Sequence, residues 1–398
     1  MLSEDELIRI IQSTVKSRGR VRLGIGDDAA VLTDGTVITT DAYAEGVHFD
    51  LSYMSLRQVG ERCACGAISD VVAMAAEPEA VLVALALPRV TSLQSAVCRS
   101  PSPRPSPARG EGVANAVREL YRGIEGVCKE MGCEVAGGDI IVADQLMLAL
   151  TVTGKTKTPK LRSGARPGDH LYVTGYLGSA EAGRLLLAEQ VRSQKAKAKS
   201  QSGGEDADEV RSQMSDARCQ KWGRGADAGE VRGQMLEARS LKSGSEGRGA
   251  KGDWRLPLVS RHLRPIPRLG AMLALKSRIH GLIDTSDGLA TDARHLCEMS
   301  GVRIVLDAEA LPVLPATMRF CAEKNLDPID FVLRAGEDYE LLFTSRHRLP
   351  DTVSGVKVTR IGHVENGRGV CIRRDGRVLP VTVSGYDHLE VDHGKTGC

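Results

Sequence analysis

Gly24-Ile25-Gly26-Asp27-Asp28-Ala29-Ala30-Val31, followed by Thr39-Thr40-Asp41, sets acids at the corners of two short apolar runs. Asp27 and Asp28 are adjacent like charges with no Lys or Arg in the motif, and such a pair repels itself unless a cation sits close by. Oxygen donors without His or Cys suit a hard divalent ion. Mg²⁺ is the simplest candidate, because it usually completes its shell with water and phosphate oxygens. The stretch therefore predicts strands joined by acidic turns, and it points toward phosphate chemistry.

Working outward, the pattern repeats. Ser3 to Ser17 reads as a first helix with Ser3 as its N-cap, and 29–32 and 37–40 read as strands. The stretch 56–75 has helical spacing and carries Ser69-Asp70, and 80–87 is a buried strand. A helix over about 115–131 precedes strands near 133–136 and 145–154, with Gly137-Gly138-Asp139 expected in the turn between them. The strand 170–174, a helix over 178–189, the strand 279–284, a helix over 290–300 and the strand 302–307 continue the alternation. Such alternation predicts α/β layers, with a first domain over 1–155 and a second over 156–398.

Two stretches break this order. Residues 99–112 repeat Pro, Ser and Arg and cannot bury a core. Residues 191–253 are rich in Gly, Ser, Arg, Lys and Gln, and Ala207–Arg218 recurs as Ala228–Arg239. Two copies are too few for a solenoid, so both stretches read as insertions, the second one disordered.

Composition narrows the function. With 53 Lys and Arg against 51 Asp and Glu, the formal charge is +2, too small a field to favour nucleic acid or an anionic membrane. The 3% aromatic content offers few platforms for stacking single-stranded bases. The acidic start Met1-Leu2-Ser3-Glu4-Asp5-Glu6 does not look like a secretory leader, and apolar runs such as 80–87 are too short to span a bilayer. A cytoplasmic enzyme is the expectation. The ten cysteines lack paired metal-binding spacing and read as reduced, mostly buried thiols.

Taken singly, Asp41, Asp70, Asp139, Asp284 and Asp287 are ordinary turn or cap residues. Together with Gly24–Ala30, Gly46-Val47-His48-Phe49, Ile68-Ser69-Asp70-Val71-Val72-Ala73-Met74, Arg162-Ser163-Gly164-Ala165, Ile283-Asp284-Thr285-Ser286-Asp287-Gly288-Leu289 and Gly336-Glu337-Asp338-Tyr339-Glu340-Leu341, they resemble the thiamine-monophosphate kinases. That family belongs to the aminoimidazole-ribonucleotide-synthase-like superfamily. The resemblance covers nearly everything outside the two insertions.

The resemblance implies a two-domain fold with an ATP- and Mg²⁺-binding N-terminal half. It also implies transfer of the γ-phosphoryl of ATP to thiamine monophosphate, the last step in making thiamine diphosphate, and a homodimer through the N-terminal half. By the same analogy Asp28, Thr39, Thr40, Asp41, Asp70, Asp139, Asp284 and Asp287 would bind several Mg²⁺ ions. Gly138, Arg162 and Ser286 would contact ATP, and His48, Glu337 and Tyr386 the acceptor; no residue is required as a general base. Asp27 is the less direct member of its pair. A ring-closing synthase of the same superfamily and an inactive nucleotide-binding scaffold are the alternatives; Gly336-Glu337-Asp338-Tyr339 favours the kinase.

Overall fold

The computed structural model describes residues 4–15, 19–88, 109–201 and 253–383. The chain opens with α1 (Glu4–Thr14) and then builds a six-stranded sheet. Its strands are β1 (Val21–Leu23), β2 (Ala30–Leu32), β3 (Thr36–Ala44), β4 (Glu77–Pro88), β5 (Glu134–Ala143) and β6 (Met147–Lys155), in the order β1-β2-β3-β6-β4-β5. All neighbours are antiparallel except β4 and β5. α2 (Leu56–Ala73) and α3 (Arg109–Met131) pack together beside this sheet.

The second half forms another sheet from β7 (His170–Thr174), β8 (Leu282–Asp284), β9 (Arg303–Asp307), β10 (Leu341–Ser345), β11 (Thr352–Val353), β12 (Val356–Glu365), β13 (Gly369–Arg374) and β14 (Arg377–Pro380). The order is β14-β13-β9-β12-β7-β10-β8, with β11 on β12. Its helices are α4 (Ser179–Gln201), α5 (Leu256–Leu263), α6 (Leu269–Leu275), α7 (Leu289–Ser300), α8 (Pro315–Glu323) and α9 (Pro328–Arg334). The mixed α/β expectation holds, and each half of the chain contributes one sheet.

α2 is the element that positions the site. Ser55 caps it through a reciprocal box with Gln58, which satisfies two of the open amides at its start. Beyond Glu61 its surface is built from Cys63, Ala64, Cys65, Gly66, Ala67 and Ile68, all buried, the pattern of a helix surrounded by protein. One apolar cluster joins its Val59, Ile68 and Val72 to Val83 and Leu150 of the first sheet and to Leu282, Leu341 and Phe343 of the second.

Three expectations need correction. Gly137-Gly138-Asp139 lies inside β5, paired with Leu82-Val83-Ala84, because the β-branched Ile140-Ile141-Val142 carries the strand onward. A Cβ at Gly138 would fall 1.9 Å from the Val83 carbonyl oxygen, so the neighbouring strand already demands glycine there. α4 runs on to Gln201, through part of the stretch assigned to an insertion, since its Lys, Ala, Gln and Arg residues propagate a helix well. α3 likewise starts at Arg109. The rest of both insertions lies outside the described residues, as do Ser3 and the proposed end of the first helix. Among the described cysteines none is disulfide-bonded and six are buried. No helix among the described residues is long and apolar enough to cross a membrane.

Candidate functional site

Asp28 sits on the turn leading into β2, Asp70 in the last turn of α2 and Asp284 at the end of β8. One carboxylate oxygen from each lies within 4.8 Å of the other two. Residues 28 and 284 are thus brought from the two sheets onto the end of the central helix. Neighbouring hydroxyls fix their orientation: Thr39 Oγ1 donates to Asp70 Oδ2 at 2.8 Å and Ser69 Oγ donates to Asp284 Oδ2 at 2.6 Å.

The cation missing from the Asp27-Asp28 motif comes from far along the chain. Arg162 Nε and Nη2 both donate to Asp28 Oδ1, at 3.1 and 2.5 Å. Asp27 has a different task, accepting from the backbone N–H of Arg162 at 3.2 Å and of Asp28 at 3.1 Å. Asp28 Oδ2 is buried and has no hydrogen-bond partner, in a position where such an orphan is costly.

Charge in this pit is under-compensated. Burial, then Asp28, raises Asp284 from 3.8 to about 8. Burial and Asp28 also raise Asp27 to about 7. Burial followed by repulsion from Asp41, Asp284 and Asp28 holds Asp70 well above the carboxylate range. Asp28 is raised too, by burial that Arg162 does not overcome. An oxygen-only cluster with an unpartnered buried oxygen fits a hard divalent cation, which would reverse both effects.

Asp41 borders the cluster and accepts from Tyr43 Oη at 2.8 Å. Thr40 does not join by its side chain: it is exposed on the other face of β3 and bonds Thr151 Oγ1 at 3.0 Å. Asp139 is also apart. Its register runs through Ala84 and Ala149 to Ala42, three strands or about 14 Å away at ordinary strand spacing, and its carboxylate accepts from the Ile140 amide.

The Asp284–Asp287 turn is stitched to the Glu337 segment. Glu337 N donates to Ser286 O at 2.7 Å, and Tyr339 N donates to Thr285 O at 2.9 Å. A Cβ at Gly336 would lie 2.4 Å from Ser286 O, so glycine permits this close approach. Glu337 and Tyr339 both have left-handed backbones, with φ of 63° and 49°, a strain typical of functional segments. His48 accepts from Ala44 N through Nδ1 at 3.1 Å and meets Tyr43 edge-on. Tyr386 lies outside the described residues.

Two buried polar residues had no distinguishing signal in the sequence. Asp292, 1% exposed on the first turn of α7, has an unpartnered Oδ2, and burial followed by Asp287 and Asp284 raises its pKa. An acid in a first helical turn ordinarily answers the helix dipole. The other is Arg62, inside α2, which forms an ion pair with Glu337.

Residues 26–156 match the family described as AIR synthase related protein, N-terminal domain. The thiamine-monophosphate kinase of Aquifex aeolicus is 28% identical over 392 residues, covering 98% of both chains. The enzyme of Escherichia coli K12 is 29% identical, covering 96% of this chain and 97% of its own. A solved structure described as AaThiL complexed with AMPPCP and TMP aligns with a TM-score of 0.67 at 28% identity over 97% of each chain. A hydrogenase maturation protein, HypE, described in complex with ATP, shares the fold alone, at 16% identity and a TM-score of 0.54 over 92% of this chain and 88% of its own.

The acid pit lies at the meeting of two α/β halves, and the first of them carries the match to the AIR synthase related N-terminal domain. Over nearly its whole length the chain is similar to the thiamine-monophosphate kinases, at 28% and 29% identity to the two relatives above.

Proposed function

We infer that this chain transfers the γ-phosphoryl group of ATP to the phosphate of thiamine monophosphate, releasing thiamine diphosphate and ADP. The observation that carries this reading is the hydrogen-bonded join between the Asp284–Asp287 turn and the Glu337 segment. It puts a cation-binding pit and a strained polar segment side by side, as a donor and an acceptor of phosphate would need. Relatives named for this activity, and a related structure described with AMPPCP and TMP, support it.

An oxygen of the acceptor phosphate attacks the γ-phosphorus while the bond to the β–γ bridging oxygen breaks. That oxygen is already ionised at neutral pH, so no side chain need remove a proton, and the protein's work is positioning and charge balance. Asp28, Asp70 and Asp284 would hold Mg²⁺, with Thr39, Asp41 and Asp287 beside them. When bound, the metal supplies neutralisation of the two phosphates. Arg162 and Ser286 would face the ATP phosphates, and His48 and Glu337 the acceptor. Thr40, Asp139 and Gly138, on the exposed face and edge of the first sheet, would serve through backbone atoms or a rearranged edge.

The reading extends to a division near residue 155, where β6 ends, to action in the cytoplasm and to a homodimer through the first sheet. β5 is an edge strand with Ile140, Ile141 and Val142 exposed, an apolar edge of the kind proteins normally cover. Incubating the purified chain with ATP, Mg²⁺ and thiamine monophosphate should yield thiamine diphosphate. ATP binding without product would overturn the catalytic reading in favour of a scaffold.

A further inference from the structure

Arg62 is 2% exposed in the middle of α2, a place where an arginine is rarely tolerated without full satisfaction. Its guanidinium reaches three separate parts of the chain. Nε donates to the carbonyl of His48 at 3.0 Å, Nη1 donates to the carbonyl of His262 at the end of α5, and Nη2 pairs with Glu337. The backbone of His48 and the carboxylate of Glu337 are therefore both held by one side chain.

The geometry around Glu337 makes this hold consequential. Its left-handed backbone and that of Tyr339 are anchored on one side by the bonds to Ser286 and Thr285. Arg62 anchors the other side through the carboxylate. The guanidinium donates to two backbone carbonyls and pairs by charge with Glu337, an arrangement a lysine ammonium cannot reproduce.

We propose that Arg62 is a positioning residue for the phosphate acceptor: it sets the separation and orientation of His48 and Glu337, and it acts through them. This rests on the reading that those two residues face thiamine monophosphate. It adds a residue that would act on the acceptor through His48 and Glu337 and so control affinity at one end of the site.

The test measures binding of thiamine monophosphate and of ATP separately by calorimetry on the full chain, in wild type, Arg62→Met, Arg62→Lys, Glu337→Gln and the Arg62→Met/Glu337→Gln double variant. Removing one partner of a buried charge pair should weaken acceptor binding on the order of 100-fold in Arg62→Met, while ATP binding stays within about twofold. Arg62→Lys should be intermediate. Because Arg62 acts through Glu337, the double variant should bind the acceptor no worse than about threefold below Arg62→Met alone, the mark of coupled residues. Parallel loss of ATP and acceptor binding, or additive losses in the double variant, would make Arg62 a purely structural residue and overturn the proposal. If Arg62→Met does not fold, the same cycle built on Arg62→Lys separates coupled from additive losses in the same way. Wild type that binds no thiamine monophosphate would sink the acceptor assignment itself, whereas wild-type binding left intact in Arg62→Met would sink only the role of Arg62.

Discussion

Two groups of buried carboxylates in this molecule handle charge in opposite ways. Glu340, fully buried, receives Arg268 Nε at 2.6 Å, Arg261 Nη1 at 2.8 Å and Thr174 Oγ1 at 2.7 Å. Burial would push its pKa up, but Arg268 and then Arg261 outweigh burial and carry it from 4.5 down to about 2. Asp28, Asp70 and Asp284 have Arg162 as their close guanidinium partner, bonded to Asp28 alone, and their pKa values go up. At Glu340 two arginines balance the buried charge. In the acid pit the sum is left unbalanced, so that the carboxyls hold protons more readily than usual, and a bound cation would supply the same balance.

The strongest way to break this contrast is to neutralise one member of each group. Asp284→Asn should lower turnover about a thousandfold or more, as expected when charge stabilisation is withdrawn from a developing transition state, without destabilising the metal-free protein. Glu340→Gln should do the reverse. By stranding two buried guanidinium groups it should cost about 3–5 kcal/mol of stability, while the molecules that remain folded keep their activity. Steady-state rates and denaturant unfolding of both variants decide the matter; an active Asp284→Asn enzyme would remove Asp284 from the metal site.

A smaller effect, of opposite sign in the two regions, should appear with pH. Asp284 is raised in the folded state, so its favourable contribution is complete below its ordinary value of 3.8 and is lost as the pH climbs through about 8. Glu340 is lowered, so its contribution is complete above 4.5 and is lost as the pH falls through about 2. Unfolding followed in chelator should therefore show stability declining from mildly acidic to alkaline pH, and added Mg²⁺ should stabilise more at pH 8 than at pH 5. A decline unchanged in Asp284→Asn would assign it to other groups.

The smallest effect sharpens the pit itself. Asp27 accepts backbone N–H groups from Arg162 and Asp28, a task an amide oxygen can also perform. Asp27→Asn should cost roughly tenfold or less in turnover, because a hydrogen bond of this kind contributes about 1 kcal/mol, against the far larger loss in Asp28→Asn. Equal losses in the two variants would make Asp27 a metal ligand.

Much of the acid pit was legible in the sequence because each corner is a local motif: Gly26-Asp27-Asp28 before a strand, Ser69-Asp70 near a helix end, and Asp284 closing an apolar run. Thr40 and Asp139 were harder to place. Strand alternation turns Thr40 away from the pit, and pairing with β4 absorbs the Gly137-Gly138-Asp139 stretch that reads as a turn. The resemblance alone assigned Arg162 to ATP, its bond to Asp28 spans 134 residues, and Arg62 and Asp292 gave no local sign at all.

The sequence by itself determined which residue types sit at the acidic corners, the alternation of helices and strands, and that hard oxygen donors recur without nearby soft ones. Those are properties of short stretches, governed by turn chemistry, capping and periodicity. Only the tertiary structure decided which carboxylates share a pit, which receive arginines, and that one buried guanidinium ties His48 to Glu337. Electrostatic balance in a buried site depends on the distances between residues far apart in the chain, and packing across α2 sets those distances.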